Sequence, residues 1–281
     1  MNPASTERLL RAPGRETLSV RDWPLAVGPA RAVVLMVHGL GEHSGRYGHV
    51  ADRLHGWGCA ARGFDHHGHG ASSGKRGGLP AVDRLVDDLA LVIDDTRDSY
   101  PGAPLLLLGH SLGGLVAASL VARGQRPVEG LVLSSPALDA GLGPAQRGLI
   151  ALLMRLAPGL RVGNGLKLKY LSHDAAVVQA YKDDRLCHGR IGARLASFLA
   201  DEGERVRAVA ADWRVPTLLL YAGDDRLVRA SGSRAFADAA PRAVVESRCF
   251  DEHYHEIFNE RDSEPVFAAL GAWIQAHFSA R

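Results

Sequence analysis

Short apolar runs alternate with longer amphipathic segments along most of this chain of 281 residues. Apolar runs that follow Pro or end at Gly predict strands of a parallel sheet, because both faces of such strands are buried. The predicted strands cover residues 32–37, 105–108, 131–133, 217–221 and 244–250. Residues 16–26 predict one or two antiparallel edge strands.

Helical periodicity predicts helices between these strands, over residues 81–97, 112–123 and 264–277. Strands that alternate with helices indicate an α/β fold, with a mostly parallel central sheet flanked by helices. The alternation stops at residues 139–212, where helical stretches at 147–157 and 191–211 surround a Gly-rich loop and no strand is predicted. We therefore expect a helical cap of residues 139–212, inserted after the third central strand of a core that comprises 1–138 and 213–281.

Composition narrows the class of protein further. Apolar residues make up 46% of the chain and the net charge is +2, so we expect a globular protein without a nucleic-acid partner. The three cysteines form neither a disulfide framework nor a zinc-binding pattern. The first 20 residues lack the apolar stretch of a signal peptide, and no run is long enough to span a membrane. These features predict a cytoplasmic protein, and no obligate protein partner is evident.

A G-x-S-x-G pattern, Gly109-His110-Ser111-Leu112-Gly113, lies between a predicted strand and a predicted helix. The glycines leave room for a sharp, strained turn that raises the serine hydroxyl above the sheet. The positive end of the following helix favours developing negative charge at that hydroxyl. The pattern therefore predicts that Ser111 is a nucleophile.

A serine nucleophile needs a base, and in this architecture the chain order is serine, acid, histidine. The strand 217–221 leads to Asp224 and Asp225, and the last predicted strand leads to His253 and His255. Functional groups collect at the carboxyl ends of parallel strands, so both doublets are well placed. Chemistry alone does not choose between the two members of either doublet.

An ester's tetrahedral transition state needs fixed hydrogen-bond donors for its oxyanion. We expect these donors to be the backbone N–H groups of Leu112 and of Leu40, whose flanking Gly39 and Gly41 let the backbone approach a substrate.

Three histidines, His66, His67 and His69, lie close together in the sequence DHHGHG. No acidic or cysteine partner lies at a ligand spacing, so we expect a structural loop, with no metal and no cofactor.

The chain resembles monoacylglycerol lipases and their lysophospholipase-like bacterial relatives. Residues 38–47, HGLGEHSGRY, resemble their HG-x-GEHSGRY signature, and residues 65–74 are similar to their D-x-x-GHG-x-S-x-G segment. Residues 109–114 match their GHS-x-GG elbow. Asp225 and His255 stand where the family carries its catalytic acid and base, and the resemblance thus favours them over their neighbours. It extends from about residue 31 to the C-terminal helix.

The resemblance implies an α/β-hydrolase that cleaves monoacylglycerols to fatty acid and glycerol through an acyl-enzyme. It implies that Ser111 is the nucleophile, His255 the base and Asp225 the orienting acid, with Leu40 and Leu112 as oxyanion donors. The residues that it places at the polar end of the pocket and in its supporting loop are Gly39, Glu42, Arg46 and His110.

The cap determines which ester is used, and here the chain departs from the family. Arg185 replaces the proline of a usual D-P-L stretch. An apolar helix at 147–157 predicts a dry tunnel for an acyl chain and a transient contact with a membrane surface. The alternatives are a lysophospholipase, a general short-chain carboxylesterase and, from another class, a non-catalytic ligand-binding protein. A complete serine, histidine and aspartate set argues against a non-catalytic protein.

Overall fold

The computed structural model describes residues 5–26 and 28–278; the remaining positions of the predicted core, 1–4, 27 and 279–281, lie outside the described residues. The strands in the described part of the chain are β1 (Thr6–Ala12), β2 (Glu16–Trp23), β3 (Val33–Val37), β4 (Ala60–Phe64), β5 (Leu105–His110), β6 (Gly130–Ser134), β7 (Arg161–Gly163), β8 (Arg190–Gly192), β9 (Thr217–Ala222) and β10 (Val245–Phe250). The α-helices in the same part are α1 (Gly48–Gly56), α2 (Arg84–Ser99), α3 (Leu112–Ala122), α4 (Pro144–Leu156), α5 (Ala175–Asp183), α6 (Ala193–Ala208), α7 (Ala230–Ala239) and α8 (Glu264–His277).

Eight strands form one sheet in the order β1-β2-β4-β3-β5-β6-β9-β10. The six strands from β4 to β10 are parallel, whereas β2 runs antiparallel to β4 and β1 runs antiparallel to β2. In the register, Gly109 near the end of β5 lies beside Val37 at the end of β3 and Leu133 of β6. The carboxyl ends of the central strands therefore meet at one edge of the sheet, where a functional site is expected.

Helices cover both faces of the sheet and give the protein two apolar layers. Along β3 the side chains alternate: Val33, Leu35 and Val37 pack in a cluster with α2, α3, α6 and α7, and Val34 and Met36 pack in a cluster with α1 and α8. All five residues of β3 are buried. This burial on both faces explains why the central strands have continuous apolar sequences.

The predicted α/β architecture with a mostly parallel central sheet is confirmed, and the five predicted central strands are present within two residues at each end. Two strands of the large sheet were not predicted, because β1 is polar and exposed and β4 contains Arg62. The Arg62 side chain is fully buried, and its guanidinium lies 3.1 Å from Asp22 and 2.7 Å from Asp95. The expectation of an edge position for residues 16–26 was wrong for β2, since β1 pairs with its outer side.

The insertion after β6 contains α4, α5 and α6, as well as a feature that the sequence did not predict. The strands β7 and β8 pair antiparallel with each other, so the expectation of no strand in this region was wrong. Each has only three residues, too few for a periodic signal. The helix α6 packs into the main apolar cluster through residues such as Leu195 and Phe198, and buried Glu202 accepts two hydrogen bonds from Arg123 at the end of α3.

The described helices were also compared with the length and hydropathy that a bilayer requires. Among them, none is long and apolar enough to cross a membrane.

Candidate active site

Ser111 occupies a strained turn between β5 and α3. Its backbone has φ 53° and ψ −118°, a conformation that is costly for a residue with a side chain. The flanking glycines are required by close packing: a Cβ on Gly109 would lie 2.5 Å from the carbonyl oxygen of Gly113, and one on Gly113 would lie 2.0 Å from that of Val37. The turn therefore places the Ser111 hydroxyl at the carboxyl edge of the sheet, next to the N-terminus of α3.

His255 and Asp225 form a buried hydrogen-bonded pair at the same edge. His255 Nδ1 donates to Asp225 Oδ2 over 2.7 Å, and the side chains are only 5% and 2% exposed. The other carboxylate oxygen of Asp225 accepts from the backbone N–H groups of Leu227 and Val228 at 2.9 and 3.0 Å. Both oxygens of Asp225 thus have donors, and the imidazole is held with its Nδ1 protonated and its Nε2 available as an acceptor.

Asp225 and His255 each stabilise the charged form of the other. Burial would raise the pKa of Asp225, but His255 and the two backbone N–H groups lower it below its usual value. Burial would lower the pKa of His255, but the Asp225 carboxylate raises it above its usual value. The arrangement therefore stabilises the imidazolium that forms when the neutral ring of His255 accepts a proton.

The neighbouring members of the two doublets lie elsewhere. Asp224 is exposed and forms a bidentate ion pair with Arg226. His253 Nε2 bonds to the carbonyl oxygen of Asp262 at 2.9 Å, on the exposed side of the loop. The geometry thus pairs Asp225 with His255 and leaves both neighbours outside the site.

Leu40 and Leu112 line the cavity into which Ser111 and His255 open. Leu112 is the first residue of α3, so its N–H has no partner within the helix. Within residues 5–26 and 28–278, the N–H of Leu40 has no hydrogen-bond acceptor either. Gly39 lies against the nucleophile, since a Cβ there would be 3.2 Å from Ser111 Cβ. Two free backbone donors therefore lie at the cavity end that holds the serine.

Glu42 and Arg46 form a buried network beside the serine. Glu42 Oε1 accepts from the Gly39 N–H at 2.6 Å and from the Tyr47 hydroxyl at 2.8 Å, and its Oε2 lies 2.6 Å from Arg46 Nη1. Burial would raise the pKa of Glu42, but Arg46 and neighbouring groups lower it to about 2. Arg46 also makes a bidentate contact with Glu256 at 2.7 and 2.8 Å. The network joins the loop after β3 to the loop that carries the buried histidine.

His110 lies beneath the pair rather than within it. Its Nδ1 lies 3.1 Å from both the carbonyl and hydroxyl oxygens of Ser134, and its ring centroid lies 4.8 Å from that of His255. Burial, together with the nearby His255, lowers the pKa of His110 to about 4. His110 therefore supports the imidazole of His255 as a neutral ring.

The cavity has a volume of about 460 Å³ and a mostly apolar wall, in which Gln146, Asn164 and Tyr181 are polar residues of the insertion. That size suits a small-molecule ligand. Leu149, Ile150 and Leu153 of α4 line its far part, together with side chains from other segments of the insertion. The remaining apolar residues along its wall are Leu142, Leu160, Val162, Leu166, Leu171, Ile191, Leu199, Leu227 and Val228.

The histidine-rich loop supports the site structurally. The backbone N–H of His66 donates to His38 Nε2, and His66 Nε2 donates to the carbonyl oxygen of His38. His69 Nδ1 bonds to the carbonyl oxygen of His67, whose own Nδ1 lies 3.3 Å from Glu16. These contacts link the loop after β4 to the loop after β3.

A separate group of possible metal donors comprises His43, Asp184 and Cys187. His43 Nδ1 accepts a hydrogen bond from the Gly45 N–H, so the ring proton is on Nε2, the atom that faces the other two side chains. Burial raises the pKa of the Cys187 thiol to about 12. A metal ion at this group would have to displace the protons of His43 Nε2 and of the Cys187 thiol.

The chain was also compared with known proteins. A family model described as "Serine aminopeptidase, S33" matches residues 28–262. A monoacylglycerol lipase of Mycolicibacterium smegmatis is 36% identical over 250 residues, which cover 88% of this chain and 89% of that protein. The phospholipase YtpA of Bacillus subtilis is 31% identical over 88% of this chain and 96% of its own. The crystal structure of the Paleococcus ferrophilus monoacylglycerol lipase has a TM-score of 0.84 and 34% identity, covering 92% of this chain and 99% of that one.

The chain belongs to the monoacylglycerol lipase family of α/β-hydrolases. This membership confirms the family resemblance and the predicted class of enzyme, a carboxylic ester hydrolase.

Glu256 belongs to the site of this monoacylglycerol lipase family member, but the sequence did not predict it. Its bidentate contact with Arg46 spans 210 positions of the chain, and Asn259 donates to the same carboxylate at 2.8 Å. A separation of this length leaves no periodic or motif signal, because only the packing of two loops brings the groups together. The only available signal was an acidic residue directly after the predicted histidine.

Proposed function

We propose that this enzyme hydrolyses monoacylglycerols, releasing a fatty acid and glycerol. The observation that carries the proposal is an apolar cavity of about 460 Å³ that ends at Ser111 and His255. A single acyl chain suits such a cavity, because each methylene group that is buried there stabilises the bound substrate by about 0.8 kcal/mol. The small polar end, beside Glu42 and Glu256, suits the hydroxyl groups of glycerol.

In the proposed mechanism, His255 Nε2 takes the proton of the Ser111 hydroxyl as the oxygen attacks the ester carbon. The carbonyl oxygen becomes an oxyanion, which the N–H groups of Leu40 and Leu112 stabilise. The tetrahedral intermediate then expels glycerol, which receives its proton from His255. Water releases the fatty acid from the acyl-enzyme by the same steps, and Asp225 orients the imidazole and stabilises its charge throughout.

Residues 139–212 act as the cap in this proposal, over a core of 1–138 and 213–281. The helix α4 supports this role because it has no buried residue and still contributes four side chains to the cavity wall. Two of its other apolar side chains are exposed, Leu152 by 52% and Leu156 by 70%. An exposed apolar face next to a lipid cavity is suited to transient contact with a lipid surface that supplies the substrate. The cytoplasmic location expected from the sequence stays a prediction.

A substrate panel with charged cavity variants tests the proposal. We expect kcat/KM for monoacylglycerols to rise several-fold per added pair of carbons and then to fall when the cavity is full. Ile150→Asp and Leu153→Asp should reduce hydrolysis of long chains much more than that of acetyl esters, because only a long chain reaches these residues. The measurement is kcat/KM for monoacylglycerols of increasing length, presented as monomers below their aggregation limit.

The matched control for this test is Leu152→Asp, on the exposed face of the same helix. It should leave hydrolysis of monomeric substrate unchanged and slow hydrolysis only of substrate presented in vesicles. A flat dependence on chain length, with cavity variants affecting short and long esters equally, would indicate a general short-chain carboxylesterase instead.

A second candidate is hydrolysis of lysophospholipids, favoured by the similarity to a phospholipase of Bacillus subtilis. The same panel separates the two functions when a monoacylglycerol and a lysophospholipid carry the same acyl chain. A higher kcat/KM for the lysophospholipid would favour the second candidate.

The pH dependence should report the titration of His255. Because Asp225 raises the pKa of His255 above its usual value of 6.5, activity should decline on acidification at a pH above 6.5. The protonated ring is no base, so kcat/KM falls as pH decreases through this pKa. The measurement is kcat/KM for a soluble short ester across the acidic and neutral range. An acidic limb well below pH 6.5 in the wild-type enzyme would contradict a raised pKa of His255.

A further inference from the structure

The loop that carries Leu40 contacts the insertion at two points. The N–H of His188 donates to the carbonyl oxygen of Gly41 over 2.8 Å. The Nε2 of His43 donates to Asp184 Oδ2, also over 2.8 Å. Both partners lie in the segment between α5 and β8, which we name the cap brace (residues 184–188).

The core holds the other side of the same loop. His38 Nδ1 donates to the carbonyl oxygen of Gly39 over 2.8 Å, because His38 Nε2 already accepts the N–H of His66. The C=O and N–H of a trans peptide point in opposite directions, so this bond also sets the direction of the Leu40 N–H. Glu42 holds the preceding N–H, that of Gly39, over 2.6 Å. The core thus holds the peptide group between Gly39 and Leu40. The cap brace holds the carbonyl group of the next residue, Gly41.

Gly41 lies at the junction between these two supports. Its φ is +80°, and a Cβ there would lie 2.3 Å from the carbonyl oxygen of His188 and 2.7 Å from the hydroxyl of Tyr181. Glycine has broad backbone freedom, so the segment after Leu40 depends on outside contacts for a single conformation. On the side of this segment that faces the insertion, the contact is the hydrogen bond from the N–H of His188 to Gly41.

In the hydrogen bond between His43 and Asp184, the donor and the acceptor are each determined by a neighbouring backbone contact. His43 Nδ1 accepts the N–H of Gly45, which leaves the proton on Nε2. Asp184 Oδ2 accepts that proton, and its Oδ1 accepts the N–H of Leu186 over 2.8 Å. Both ends of the contact are therefore fixed by their own backbone. His43 is buried, so loss of its acceptor would leave a polar group without a partner.

We propose that the cap brace is a positioning element of the oxyanion hole. Asp184 and His188 hold the loop after β3 so that the Leu40 N–H faces the oxyanion that forms at Ser111. Seating of the cap and completion of the oxyanion hole are then one event, and the enzyme reaches full activity only with the cap in place. This inference rests on the proposed serine esterase mechanism, in which Leu40 is an oxyanion donor.

The test compares Asp184→Ala with Asp183→Ala, a matched control at the adjacent position, whose carboxylate contacts only Gln179 by side-chain hydrogen bonding. The substrate is 4-nitrophenyl acetate, because an acetyl group does not extend into the apolar part of the cavity. We expect Asp184→Ala to lower kcat about tenfold to a hundredfold and to change KM less than about twofold, since complete loss of an oxyanion donor costs about 10²- to 10³-fold. Asp183→Ala should match the wild-type enzyme. Asp184→Asn keeps one acceptor oxygen and should lose less than the Ala variant.

Inhibition by phenylboronic acid gives a second readout, because its tetrahedral adduct with a serine resembles the transition state. Its inhibition constant should rise in Asp184→Ala by about the factor by which kcat/KM falls. An acetyl-ester kcat within twofold of wild type, with the loss confined to KM for long-chain monoacylglycerols, would overturn the proposal and give the brace a role in acyl binding alone. If the wild-type enzyme cleaves the acetyl ester and no monoacylglycerol, the proposed substrate is wrong, and the acetyl-ester comparison still tests the brace.

Discussion

Ser111→Ala is expected to lower kcat for a monoacylglycerol about 10⁶-fold, which is the order of loss seen when a serine hydrolase loses its nucleophile. The strained turn at φ 53° presents this one hydroxyl to the cavity, and alanine removes the attacking atom without changing the backbone. A small residual rate should remain, since the oxyanion donors and the cavity still bind the transition state. The measurement is hydrolysis of a medium-chain monoacylglycerol together with labelling by a fluorophosphonate, read by intact mass.

The control for this prediction is Ser135→Ala. Ser135 is also buried and also has a positive φ, of 41°, but it does not line the cavity. Wild-type enzyme and Ser135→Ala should each gain one phosphonyl group, and Ser111→Ala should gain none. Turnover close to wild type in Ser111→Ala would remove this serine from the mechanism.

Asp225→Asn is expected to lower kcat by about 10³- to 10⁴-fold, by analogy with other triads. The structure gives the reason. Two backbone N–H groups, from Leu227 and Val228, bind Oδ1, so the carbonyl oxygen of an asparagine takes that position and its NH₂ faces His255. The Nδ1 atom of His255 must then accept a hydrogen bond, so the proton of its ring moves to Nε2. A protonated Nε2 cannot take the proton of Ser111.

Asp224→Asn is the matched control, with the same chemical change one residue away. The Asp224 side chain is 43% exposed and, among the described residues, pairs with Arg226, so the variant should keep kcat within about threefold of wild type. Thermal unfolding of both variants shows whether the fold is preserved. A larger loss of kcat in Asp224→Asn than in Asp225→Asn would mean that the acid has been misassigned.

The structure also links stability and activity at one position, Arg46. Its guanidinium is shared by Glu42 and Glu256, whose side chains are each only 4% exposed. Buried carboxylates without a cation are strongly destabilising, so the chain must keep this arginine whatever its role toward substrate. The pairing also joins the loop after β3 to the loop of His255, and the proposed mechanism depends on the distance between these loops.

Local sequence determined most of the sheet. The strands β3, β5, β6 and β9 were predictable because strands buried on both faces need continuous apolar runs, and Gly and Pro mark their ends. The turn at Ser111 was predictable for a similar reason, because two close backbone approaches exclude any side chain at Gly109 and Gly113. Such requirements act on residues near each other in the chain, so they leave a readable pattern.

Tertiary structure alone decided the features that depend on distant partners. Arg62 sits within β4 because Asp22 and Asp95 neutralise it, and a charged residue in an apolar run hides that strand from any local pattern. The family resemblance already favoured Asp225 over Asp224, but the physical reason, burial and two backbone donors for Asp225, is visible only in the tertiary structure. Contacts such as Glu256 with Arg46, and Asp184 with His43, join segments more than 140 positions apart in the chain. The sequence by itself thus determined the fold and the class of enzyme and predicted Ser111 as the nucleophile, whereas the orientation of Asp225, His255 and the loop of Leu40 depends on long-range packing that has no local signature.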